Sequence, residues 1–168
     1  MKTKGWQERS AWLGCAALVM AGCAQGGAPS TETSPAPASG FQMLPPGASW
    51  TPNPAIPAGG TIAIVAGNIS ANAPYAFRVR FPPGYRVMPH THPDARIYTV
   101  LAGTWTIGLG EKFDSTALVS VRPGGTYVLA AGEPHFHYAN AGEAIAQVNG
   151  NGPTATVYLD PADDPRKR

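Results

Sequence analysis

From Thr61 to Leu159 the chain alternates short apolar runs with turn residues, and no stretch keeps a helical period over a useful length. The runs are Thr61–Ala66, Tyr75–Phe81, Arg96–Leu101, Thr104–Leu109, Ala117–Val121, Thr126–Ala130, His135–Ala139, Ile145–Asn149 and Ala155–Leu159, each bounded by Gly, Pro or Asn. Tyr75–Phe81 is the plainest. Phe77, Val79 and Phe81 fall on one side and Arg78 and Arg80 on the other, as in a strand with one buried face. Leu101 to Thr104 reads as a tight hairpin between two such runs. So many short strands at this spacing predict a sandwich or a barrel. Two similar halves, each a Pro-Gly turn leading to a His-x-His pair, suggest a doubled strand motif.

The N-terminal third has a different pattern. Lys2, Lys4 and Arg9 precede an apolar stretch, Ala11–Ala21, too short to span a bilayer but of the length of a signal-peptide core. Met20-Ala21-Gly22-Cys23 resembles a bacterial lipobox, which implies cleavage after residue 22, a lipid on Cys23 and a barrel on the periplasmic side of the cell envelope. Ala24 after the cysteine resembles sorting to the outer membrane; the competing reading is an ordinary secretory signal releasing the chain into the periplasm. Residues 23–40 are rich in Gly, Ser, Pro and Ala and lack large apolar side chains, which predicts a disordered, flexible tether. Phe41–Gly60 is Pro-rich but carries Phe41, Met43, Leu44, Trp50 and Ile56, the anchors of an irregular arm packed on the domain. The expected organisation is therefore signal 1–22, linker 23–40, barrel 41–160 and a charged, solvated tail 161–168.

Composition agrees with a turn-rich β domain: charged residues make up 13%, against 20 glycines and 18 prolines. The formal charge of +2 comes from the leader; without it the chain carries nine basic and nine acidic residues. That balance leaves no basic face for nucleic acid. Cys15 and Cys23 are the only cysteines, so the barrel uses no disulfide.

The chemistry lies in the histidines. The chain has four, and all stand in two His-x-His pairs, His90/His92 and His135/His137. Residues two apart on an extended segment share a face, so each pair offers two imidazoles side by side, half a metal site. The segment Gly84-x5-His90-x-His92 ending at Gly103 resembles the first cupin motif, and Gly124-x5-Ala130-x-Gly132-x2-His135 resembles the second. Ala130 stands where proline is usual, and Asn140 comes one place late. The resemblance covers about Gly60 to Leu159 and implies an all-β fold, a single cupin-type jelly-roll β-barrel with metal held by His90, His92 and His135. Where the motif carries a glutamate, this chain has Arg96, which has no lone pair to give a cation. Asp94 and Glu111 are the nearest carboxylates in sequence, and neither is in register. Some cupins use three histidines, and pirins take a fourth ligand two residues past the second-motif histidine, here His137.

A four-histidine site for a divalent transition metal, Fe, Ni, Cu or Zn, is therefore the expectation. On an octahedral ion four histidines would leave two open positions. Arg96 reads either as a clamp for an anionic substrate, as a partner of Asp94 at the rim, or as a sign that the metal was lost. Tyr98 should share its face, and the two are the candidate catalytic residues; Gln147, which shares a face with Asn149 and Ile145, is a second-tier candidate. By resemblance the function is a metal-dependent oxidoreductase of dioxygenase type acting on a small organic substrate, and the alternative is a tethered protein that binds metal or ligand without turnover. The membrane enters only through the lipid anchor, and a homodimer through sheet edges fits the resemblance without any residue demanding it.

Overall fold

In the computed structural model, which describes residues 49–168, the apolar runs become eleven strands. They are β1 (Thr51–Pro52), β2 (Thr61–Ala66), β3 (Pro74–Phe81), β4 (Tyr85–Thr91), β5 (Arg96–Ala102), β6 (Trp105–Leu109), β7 (Val119–Val121), β8 (Thr126–Leu129), β9 (His135–Ala139), β10 (Ala144–Asn151) and β11 (Val157–Tyr158). One sheet runs β1-β2-β3-β10-β5-β8 and the other β11-β4-β9-β6-β7. All pairings are antiparallel. The expected all-β jelly-roll barrel is what forms. The predicted signal, lipidated cysteine and linker, with Phe41, Met43 and Leu44 of the arm, lie outside the described residues.

The core fills the space between the sheets. Phe77, Val79 and Phe81 of β3, Tyr98 and Val100 of β5 and Val148 of β10 face Tyr85, Val87, Trp105 and Ile107 of the second sheet. Burying a side chain of this size stabilises by roughly 1.5–3 kcal/mol before its ordering entropy is charged. The alternation read in β3 holds, with Arg78 and Arg80 on the half-exposed outer face. The arm behaves as expected where it is described: Ile56 packs against the core, and Trp50 lies under the Arg80 guanidinium at 4.6 Å.

Three expectations need correction. Leu101–Thr104 is not a hairpin: β5 pairs with β10 and β8, while β6 pairs with β7 and β9, so the chain crosses from one sheet to the other here. Gly103 makes the crossing in the left-handed region, at φ 70°, where a Cβ would run into the Glu143 carbonyl oxygen. The tail is not simply solvated. Asp160 and Asp164 cap two short 3-10 turns, Pro161–Asp163 and Pro165–Lys167, each accepting from the backbone N–H two residues on. Gln147 faces outward on β10, accepting from Arg78 Nε at 3.5 Å, because the inward positions of that strand are Ala146 and Val148.

Two strands are not announced by an apolar pattern, the two-residue β1 within the arm and β4. The pairing of β4 with β9 matches Val87 to His137 and His90 to His135, three residues against two, which is a β-bulge at Met88-Pro89. The extra residue breaks the alternation and returns an even-numbered side chain to the face that Tyr85 and Val87 occupy. Proline is tolerated there because the bulge has no ladder bond to lose.

Candidate metal centre

The bulge is what brings the two histidine pairs together. It turns His90 inward opposite His135, and His137 follows two residues along β9 on the same face. The rings of His90 and His135 are 4.2 Å apart, and those of His90 and His137 5.9 Å. His92, just past the end of β4, stands 4.9 Å from both His90 and His135. All four are buried. The donor nitrogens of His90, His135 and His137 lie within 4.8 Å of one another. His92 falls outside that group by its nitrogens, although its ring stands nearer to His90 and His135 than the ring of His137 does.

Every ring is anchored through Nδ1 to a backbone carbonyl: His90 to Met88 at 2.8 Å, His92 to Ala155 at 2.7 Å, His135 to Glu133 at 3.0 Å and His137 to Thr106 at 3.1 Å. A carbonyl only accepts, so each Nδ1 carries the hydrogen and each Nε2 keeps its lone pair. Burial pushes the four rings toward the neutral form. It takes His135 down to about 4 and, with the Arg96 charge added, His92 down to about 2. His90 and His137 are held well below the ordinary histidine value by burial and by the neighbouring rings. Neutral, oriented imidazole is the form that ligates a metal.

His135 tests whether a metal fits. It is 0% exposed, and its Nε2 has no hydrogen-bond partner. An unpaired buried acceptor costs about 1–3 kcal/mol, and here it points among two other lone pairs of the same kind. A cation satisfies all three at once; three nitrogen ligands suit a transition metal better than magnesium or calcium. The residues present therefore fit a divalent transition metal.

Beside the histidines is a cavity of about 240 Å³. His90, His92 and His137 reach it, with Arg96, Tyr98 and Trp105 on its walls. Arg96 is not at the rim. It and Asp94 form a buried ion pair, Nε to Oδ2 at 3.3 Å, each side chain 5% exposed. The Tyr75 hydroxyl donates to Asp94 Oδ2 and the Thr154 hydroxyl to Oδ1, while Arg96 Nη2 donates to Thr154 and, at 3.5 Å, to the Ala155 carbonyl. Arg96 Nη1 donates to the Tyr98 hydroxyl at 3.4 Å. Tyr98 is stacked on Tyr127 at 4.8 Å, and burial keeps its phenol protonated beyond the ordinary range.

The spacing of the histidines was legible. Tyr75, Thr154 and Ala155 were not, because nothing in a sequence without periodicity at residues 152–156 shows that this segment crosses back to the site. The only available signal was the i, i+2 spacing of Asp94 and Arg96, which places both on one face.

Residues 77–149 match the cupin domain family. No curated protein matches the chain. Among solved structures the chain is similar to the polyketide cyclase RemF from Streptomyces resistomycificus, at 17% identity over 71% of this chain and 85% of that one, with a TM-score of 0.57. It is also similar to the DMSP lyase DddQ from Ruegeria pomeroyi DSS-3, at 22% identity over 67% and 61% of the two chains and a TM-score of 0.54. A third is a cupin 2 conserved barrel domain protein from Rhodopseudomonas palustris, at 15% identity over 62% and 69%, with a TM-score of 0.50. At these identities the likeness fixes the fold.

Proposed function

We propose that this chain is a cupin and works as a metal-dependent oxidoreductase holding a divalent Fe, Ni, Cu or Zn ion on His90, His135 and His137, with His92 as fourth ligand, and oxidising a small organic molecule with O2. The observation that carries the proposal is the set of four Nδ1-anchored, neutral rings with their Nε2 lone pairs free, one of them buried without a partner. A bound ion of this kind supplies Lewis acidity and, if redox-active, an electron path between substrate and O2. The protein's own part is to hold the four rings in one tautomer, to keep water out by the apolar wall, and to orient the substrate.

Arg96 and Tyr98 are the residues we assign to orientation. The Tyr98 oxygen accepts from Arg96, so its own hydrogen is left to donate into the cavity. Arg96, tied to Asp94, keeps that hydroxyl in place.

Metal analysis of the purified chain tests the reading. His90→Ala, His135→Ala and His137→Ala each lower bound metal about ten-fold or more, since even supporting residues of a metal site are worth 10–100-fold. His92→Ala does the same if four rings ligate; unchanged content there with loss in the other three reduces the site to the triad. Oxygen consumption against a panel of small molecules then separates turnover from binding alone. The proposal extends to place: lipid on Cys23 would tether the barrel at the outer membrane, facing the periplasm, and mass spectrometry of the membrane fraction of wild type against Cys23→Ser tests it.

A further inference from the structure

The walls of the cavity away from the histidines are mainly apolar, with Ile62, Ile69, Phe77, Val79, Phe81 and Val148 among them; Asn53, Thr154 and Thr156 are polar lining, and no carboxylate is among the lining residues. The lining has two cations, Arg96 and Arg166, and each is already paired with a carboxylate, Asp94 and Asp164. Of the five N–H groups of Arg96, Nε serves Asp94, both Nη2 hydrogens serve Asp94, Thr154 and Ala155, and one Nη1 hydrogen serves Tyr98. Arg166 at the lip is bound to both carboxylate oxygens of Asp164, at 2.7 and 2.8 Å, and to the Thr156 carbonyl at 3.0 Å. An anion that met the remaining Nη1 hydrogen of Arg96 would share a charge that Asp94 already neutralises, leaving one negative charge uncompensated in a buried place, which is strongly unfavourable.

We infer that the cavity takes an uncharged, mainly apolar molecule the size of one ring or a short chain, its single polar oxygen meeting the Tyr98 hydroxyl and the histidine side. The volume of about 240 Å³ sets the size, lying below the ~300–1,000 Å³ of sites for larger organic ligands. The apolar wall and the paired cations set the class, and they exclude the anion-clamp role that Arg96 suggests by its residue type alone. What is done to the ligand rests on the proposed metal enzyme; what binds does not, so the class can be read without metal.

The test uses the full chain stripped by a chelator, titrated with phenol and, separately, with benzoate, followed by ligand-detected NMR. Phenol saturates, and benzoate binds about ten-fold more weakly or worse, a gap of ~1.4 kcal/mol. Ile69→Trp, which adds bulk to the cavity wall from a half-buried loop position, abolishes phenol binding and keeps the β circular-dichroism signature of the wild type. Benzoate binding as well as phenol, absence of phenol saturation, or phenol binding that survives Ile69→Trp would each overturn the inference. Metal content of the untreated chain is measured alongside. A chain that holds no metal yet prefers phenol sinks the enzyme reading and spares this one; a metal-loaded chain whose stripped form prefers benzoate does the reverse.

Discussion

Arg96 stands where the cupin motif puts a ligand, and in the fold it is half of a buried ion pair. Such a pair is weak evidence for stability, because desolvation of both charges offsets most of their attraction, but breaking it is costly. Arg96→Met leaves Asp94 buried with two hydroxyl donors and no cation, and the expected loss is ~3–5 kcal/mol in chemical denaturation. The double variant Arg96→Met with Asp94→Asn loses less than the single one, and a double variant no better than Arg96→Met would show that the charge pair is not the reason. Tyr75 belongs to the same network. Burial, partly offset by the Arg96 charge and reinforced by the hydrogen bond to Asp94, pushes its phenol up to about 12. Below pH 10 both the folded and the unfolded phenol keep the proton, and the contribution is intact. Between pH 10 and about 12 only the unfolded chain releases it, so stability falls as pH rises through that window. Denaturation midpoints across the window should fall less steeply in Tyr75→Phe than in wild type.

At the scale of strands, the sequence was readable where one face is buried and the other wet. β3, β5, β9 and β10 announce themselves by alternation or by an apolar run, and their bounds shift by a residue or two at most against the runs read from the chain. β4 fails the same test because its function requires a broken period: three residues of β4 span the distance that two span on β9. The β5 to β6 link fails for another reason. A Gly at φ 70° serves a crossing between sheets as well as it serves a hairpin, and only the pairing partners distinguish the two. The bulge gives a direct prediction. Inserting one alanine after Met88 moves His90 one place further along β4 and turns it to the opposite face, since a one-residue slip exchanges the faces of a strand. Bound metal should fall as far as in His90→Ala while far-ultraviolet circular dichroism keeps its β signature. Retention of metal by the insertion variant would mean that the bulge does not aim the histidine.

For the molecule as a whole, the metal centre and the ligand cavity are carried by different parts of the chain. Three of the histidines lie on β4 and β9, and two of them are anchored by the carbonyl two residues earlier, Met88 in the bulge of β4 and Glu133 just before β9. The cavity lip is built by the return segment Thr154–Thr156 and by Arg166, which the two capped turns of the tail hold in place. If ion binds folded chain and not unfolded chain, it stabilises the whole barrel by mass action, ~2.7 kcal/mol at a hundred-fold excess over Kd; chelation should lower the unfolding midpoint accordingly, and His135→Ala should abolish that response. Removing residues 161–168 acts on the other part. The Arg166 bonds to Asp164 and Thr156 go, the lip loses a wall, and Tyr158, buried and donating to the Ala55 carbonyl at 3.1 Å, loses its cover. Sites without shared partners respond additively, so the truncated chain should keep its full metal content and its chelation response while phenol binding weakens several-fold. Metal analysis and the phenol titration on the same preparation check both halves. Loss of metal on truncation would show that the tail supports the histidines, through Ala155, which His92 bonds, or through Tyr158, which pairs with His90 and whose ring stands 5.7 Å from it.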